Sequence, residues 1–138
     1  MINLNNIFEL FSSNEDLEGV NEELYSDLTS NPIYWVGMYN KIILNHISFS
    51  KRIQKFLKDI NHSLDEDDVK SAGEYMVYHR AWSYISNIDI NDESHGLYVN
   101  EYKDRSLTIT LALGIKFFEK YEDYEKCAFL KNILDILK

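Results

Sequence analysis

With one cysteine, one proline and five glycines in 138 residues, the chain has almost nothing with which to crosslink, kink or open its backbone. The lone thiol, Cys127, excludes an intrachain disulfide, which suits a reducing compartment better than an oxidising one. No Lys or Arg occurs among the first thirty residues, so Met1-Ile2-Asn3-Leu4-Asn5-Asn6 does not read as the basic start of a secretory leader. Long apolar runs are missing too. The best, Leu107 to Ile115, contains two threonines and is roughly half of what a membrane-spanning helix needs. A soluble, cytoplasmic protein is therefore expected. The motifs that announce chemistry are likewise lacking: there is no GxSxG, no P-loop and no dinucleotide-binding glycine pattern. Neither an enzyme nor a cofactor site is expected, although a site assembled in space around Tyr78, His79 and the loop from Asp89 to His95 stays open at this level.

Hydrophobic residues at 45% and aromatics at 14% are rich enough to form a core despite a net charge of −9. The length fits one domain over residues 1–138. Charge is segregated along it: residues 1–30, 31–60, 61–95 and 96–138 carry net charges of −7, +4, −6 and 0. Segregation of this kind speaks to partners and association rates rather than to chemistry. A pI near 4.8 argues against general binding to nucleic acid or acidic membranes. Heavy use of Asn, Ile, Lys and Tyr suits the AT-rich coding of a low-GC bacterium, its phage or another mobile element.

Apolar spacing predicts helix nearly throughout, giving an all-α bundle of five to seven helices. Leu4, Ile7, Phe8 and Phe11 make a short first stripe. Ser12 and Glu15 have capping-box spacing ahead of Leu17, Val20, Leu24 and Leu28. Asn31-Pro32 combines a favourable N-cap with a proline at the first helical position. The stripe Trp35, Met38, Tyr39, Ile42, Ile43 and His46 follows and resumes as Phe49, Ile53, Phe56, Leu57 and Ile60, leaving one long helix or two joined near Ser48. Ser63 and Glu66 form another capping box, opening a helix through Val69, Ala72, Met76 and His79 toward Ile85. Between 88 and 99 the pattern breaks: Ile88, Ile90, Leu97 and Val99 alternate with polar residues around His95-Gly96, which leaves a small β-hairpin or an ordered loop open. A helical hairpin over 106–137 closes the chain, its second helix capped by Asp123.

Gly37, Gly73 and Gly114 fall inside predicted helices, at a cost of about 1 kcal/mol each relative to alanine. Close helix packing is the favoured reason, ahead of a groove in which a ligand meets bare backbone. No metal centre is expected. Asp65-Glu66-Asp67-Asp68 reads as a first-turn carboxylate cluster favoured by the helix dipole. Asp89, Asn91, Glu93 and His95 begin like a calcium loop, but Ser94 and Asn100 occupy the positions that need glycine and glutamate. The four histidines lack zinc-ligand spacing. Cys127, in helical register with Tyr124, Ala128, Lys131 and Leu134, reads as a packed thiol rather than a nucleophile.

Two surfaces suggest interaction. Tyr75, Tyr78, His79, Trp82 and Tyr84 cover more of one helix than a single core stripe needs, so the helix is either packed on two sides or presents rings to a partner. Lys51, Arg52, Lys55 and Lys58 make a basic face opposite Phe49, Ile53, Phe56 and Ile60. Finally, the run from Asp123 to Leu137, with Leu113 to Tyr121 as a preceding helix, resembles a UVR motif, an antiparallel helical hairpin. The resemblance spans under a quarter of the chain, with Cys127 and Asn132 in place of the usual alanine and aspartate. It implies a protein-docking element in which Tyr124, Ala128, Leu130 and Ile133 build the seam and docking surface. The resulting expectation is a small acidic helical interaction module, an adaptor or inhibitor with a protein partner. Two alternatives remain: a nucleic-acid role, by mimicry through the acidic helices or binding through residues 51–58, and a homo-oligomeric structural protein.

Overall fold

The computed structural model describes residues 18–59 and 66–137. Six helices and no strand occur among them: α1 Glu18–Thr29, α2 Pro32–Asp59, α3 Glu66–Ile85, α4 Glu93–Glu101, α5 Ser106–Lys120 and α6 Tyr124–Ile136. The fold is all-α. None of these helices is long and apolar enough to cross a membrane. The predicted helix over 2–11 and the Ser12 and Ser63 caps lie outside the described residues. The chain falls into two compact units, Met1–Asn31 and Pro32–Lys138.

In the first unit, α1 ends because side-chain hydroxyls take over its last carbonyls. Thr29 Oγ1 donates to the Tyr25 carbonyl at 2.8 Å and Ser30 Oγ to that of Asp27 at 3.1 Å. The apolar residues of its described side chains, Leu24, Tyr25 and Leu28, are exposed.

In the second unit, α2 is a single 28-residue helix opened by Pro32. Only its first half is core: Val36, Tyr39, Asn40 and Ile43 are buried, while no described residue beyond Ile43 is. It packs along α3, and also meets α4 and α5. Tyr34 meets Tyr84 while His46 meets Gly73, so α2 and α3 run antiparallel. On α5 the buried set Leu107, Thr110, Leu111, Gly114, Phe117 and Phe118 steps by three and four, the period of one helical face. That face receives Leu130 and Ile133 of α6, completing the expected C-terminal hairpin.

The segment predicted as hairpin or loop is instead a turn over 86–92 followed by α4. Asp92 Oδ1 accepts from both the amide and the hydroxyl of Ser94, at 2.9 and 2.6 Å, which starts the helix. Asp89 and His95 close the turn, with the Asp89 amide donating to His95 Nδ1 at 2.9 Å. Ile88 and Val99 are buried, but Leu97 is exposed, as helical rather than alternating geometry requires.

A buried polar chain ties α2 to α5. Asn40 donates through Nδ2 to Tyr102 Oη and Ser106 Oγ, both at 2.9 Å, and accepts from Thr110 Oγ1 at 2.7 Å. Ser106 Oγ in turn donates to Asp104 at 2.6 Å. Beside this chain, Tyr39 Oη donates to the Thr110 carbonyl at 2.7 Å. Among the described residues no buried side-chain nitrogen or oxygen is left without a hydrogen bond. Gly114 makes the arrangement fit, because a Cβ there would collide with Tyr39 Oη and stand 3.0 Å from Leu130 Cδ1. Close packing is thus the reason for this glycine. At Gly37 and Gly73 the nearest side chains, Tyr102 and His46, would lie at ordinary contact distances of 3.6 and 3.4 Å.

The turn between α5 and α6 is held by two backbone bonds, Glu122 N–H to the Glu119 carbonyl at 3.0 Å and Asp123 N–H to the Phe118 carbonyl at 2.9 Å. It puts Glu122 at φ 59°, the left-handed region that glycine normally occupies at this position. Asp123 stands at the N-cap of α6 but makes no side-chain cap bond; its carboxylate pairs with Lys126 Nζ at 3.2 Å.

Two outcomes follow for stability. Gly114→Ala is expected to lose roughly 1–3 kcal/mol by overpacking in spite of better helix propensity, and Tyr39→Phe in that background to recover part of the loss. Urea unfolding of the four-member cycle checks this, and strictly additive losses would remove the tyrosine hydroxyl as the obstacle. Glu122→Gly, read in the same way, should raise the unfolding free energy by roughly 0.5–1 kcal/mol, and a decrease would show that the turn tolerates a side chain without strain.

Candidate functional site

Beyond Ile43 the apolar stripe of α2 continues, with Phe49 and Phe56 exposed. Antiparallel to it, α3 brings Gly73 opposite His46. An open groove of about 860 Å³ lies between the two helices. Its apolar walls are Met38, Ile42, Phe49 and Ile53 from α2 and Met76 and Val77 from α3. Met76 is 74% exposed and Phe49 59%. Phe56, 57% exposed, prolongs the same face of α2 by one turn. Lys41 and Arg80 bring a cation from each helix. His46 lies within the groove, 3.4 Å from Ser50 Oγ and against Gly73. Flexible methionines beside aromatic and aliphatic walls make a surface that adapts to apolar side chains.

The residues singled out by sequence go to three different places. Tyr78 is buried, stacked on Phe117 with centroids 4.4 Å apart. Trp82 packs edge-on against Phe118 and Phe129 at 5.7 and 5.1 Å, with Lys126 Nζ 5.4 Å above its ring. His79 meets Tyr75, Phe117 and Phe118, and Tyr75 reaches Tyr121. The crowded aromatics of α3 therefore pack it on a second side, against the C-terminal hairpin, with Tyr78 buried, Trp82 half-buried and Tyr75 exposed. Leu130 and Ile133 are likewise sealed in the hairpin seam, while Tyr124 and Ala128 are exposed. Lys51, Arg52, Lys55 and Lys58 are all exposed. The helical period puts Lys51, Lys55 and Lys58 on the side of α2 opposite Ile53, so the basic face and the groove are separate surfaces.

The groups that might have formed a spatial active site are also divided. His79 lies in the aromatic cluster, whereas His95 accepts from Asp89 and packs edge-on against Trp35 at 5.7 Å. Among the described residues no three His, Cys, Asp or Glu side chains gather into a metal-holding group. Cys127 donates to the Ile115 carbonyl at 3.3 Å, and burial, reinforced by Glu119 and Asp123, pushes its pKa up and keeps it a thiol. Burial, with Glu74 adding to it, raises the Tyr78 phenol to about 12.

Sequence reasoning read Phe49, Ile53 and Phe56 as the apolar side of a helix and favoured close packing over a groove at Gly73, which lines this one. The available signal was Gly73 itself, a glycine kept inside a helix at some cost in propensity. No family model matches the chain, and neither a curated protein nor a solved structure is detectably similar to it.

Partial burial, followed by the Lys126 charge, lowers the pKa of His79, with Asp123 opposing. Because the unfolded chain then takes up the proton first, stability is full above about pH 7 and falls as pH drops through the ordinary histidine value near 6.5. Asp92 and Asp104 add a later loss: their bonds from Ser94 and Ser106 depress both carboxyls, so their contribution holds above about pH 4 and disappears below it. Denaturant midpoints from pH 8 to pH 5 should fall in the wild type and fall less in His79→Phe; parallel curves would show that His79 does not drive the neutral-range change.

Proposed function

We propose that the chain is a small protein-interaction module, an adaptor or inhibitor, that receives an apolar helix of a partner in the groove between α2 and α3. The observation that carries this reading is the exposure of Met76 and Phe49 on an apolar groove of about 860 Å³. The rings of Tyr78, Phe117 and Phe118 are consumed by the core, whereas Phe49 and Met76 stay open on the groove and gain from cover. An amphipathic helix suits it, since anchors spaced by three and four can enter between Met38, Phe49 and Met76 while the polar side remains in water. Lys41 and Arg80 favour an acidic helix and speed its encounter. A chain with a single cysteine suits a reducing cytoplasm, including that of a phage-infected host.

The exposed basic face of Lys51, Arg52, Lys55 and Lys58 supports a second reading, contact with a few phosphates of a nucleic acid. Nuclease and salt separate the two, because charge-driven binding weakens steeply between low and moderate salt.

Tagged full-length protein, incubated with nuclease-treated lysate of its native host, should retain a partner at moderate salt. Met76→Glu and Phe49→Ser, each with an unchanged circular dichroism spectrum, should lose it by tenfold or more, whereas Lys55→Glu should not. Retention that ignores both groove substitutions, or that vanishes with nuclease, overturns the groove reading.

A further inference from the structure

We infer that the groove also binds this protein's own helix α1 from a second copy, giving a reciprocal dimer. This rests on the groove being a docking surface and names one occupant for it. The two halves of the contact are present and exposed on the same chain. On α1, Leu24, Tyr25 and Leu28 are 57%, 67% and 55% exposed, and in the groove Phe49 and Met76 are exposed as well. Each surface gains from cover, and a second copy supplies an apolar, acidic helix that fits the groove.

Charge and size agree with this pairing. α1 contains Glu18, Glu22, Glu23 and Asp27 and no basic residue. Lys41 and Arg80 line the groove, one from each helix, and Arg52 is exposed further along α2. The 12 residues of α1 span about 18 Å at 1.5 Å per residue, and the groove runs from Met38 to Gln54 of α2, about 24 Å on the same rise. Leu24 and Leu28 are one turn apart, the spacing that lets two anchors enter one groove side by side. Each copy has one α1 and one groove, so a twofold exchange closes the assembly at two chains.

Sedimentation velocity of the full chain tests the proposal. The wild type should pass from monomer to dimer with concentration and associate less as salt rises. Met76→Glu and the double variant Leu24→Glu/Leu28→Glu should each weaken association at least about tenfold. Arg80→Glu, on the rim, should weaken it most at low salt. Mixing Met76→Glu, which keeps its α1, with the α1 variant, which keeps its groove, should form a 1:1 heterodimer. A wild type that stays monomeric, a dimer indifferent to these substitutions, or mixed variants that do not pair would each overturn self-docking. Partner capture that still depends on Met76 in those cases would leave the groove reading standing; loss of that dependence as well would remove both.

Discussion

The Tyr39 hydroxyl lies against the backbone of α5 at Gly114, and the rest of the second unit depends on that approach. Without a side chain at Gly114, the ring of Tyr39 reaches the carbonyl of Thr110 and the neighbouring Asn40 reaches the Thr110 hydroxyl. Burying these polar groups is tolerable only because every one has a partner, since an orphaned buried donor or acceptor costs about 1–3 kcal/mol. A shift of α5 along α2 would strand several of them together. The polar chain therefore specifies one alignment of the two helices, while Val36, Ile43, Leu107 and Leu111 supply the apolar burial.

From that anchor the division of surfaces follows. α5 fixed against α2 carries α6 with it, and Phe117, Phe118 and Phe129 then offer a bed of rings to α3. Tyr78 and Trp82 fill that bed, so α3 is held from the hairpin side by aromatic contact and on another side by α2. The groove lies between α2 and α3, where α3 carries Gly73 opposite His46 and leaves Phe49 and Met76 exposed.

Much of this was legible in the sequence. Pro32 marks a helix start wherever it is met with such flanks, and the three-and-four spacing of Leu107 through Phe118 identifies the buried face of α5. The close-packed role of a helical glycine was readable for Gly114, though not the identity of its neighbour. α4 was less legible because two pairs of aliphatics two residues apart satisfy a strand pattern locally, and the Asp92–Ser94 cap that decides for helix is a short-range polar effect. α3 resisted for a different reason: apolar residues occupy most of its circumference, so periodicity could not say that Tyr78, Ala81 and Ile85 face the core while Met76, 74% exposed, does not. The groove depends on what lies across from Phe49 and Phe56, information that belongs to a helix pair and not to either stripe.

α2 spans two thermodynamic regimes along one continuous hydrogen-bonded rod. Its first turns open only when the core does, whereas the turns beyond Ile43, with no described residue buried, can fray in smaller and cheaper events. Whatever settles against Phe49 and Met76 suppresses that fraying and is stabilised by doing so. Occupancy of a surface site is thereby registered as backbone order in the turns beyond Ile43, without any change in the fold.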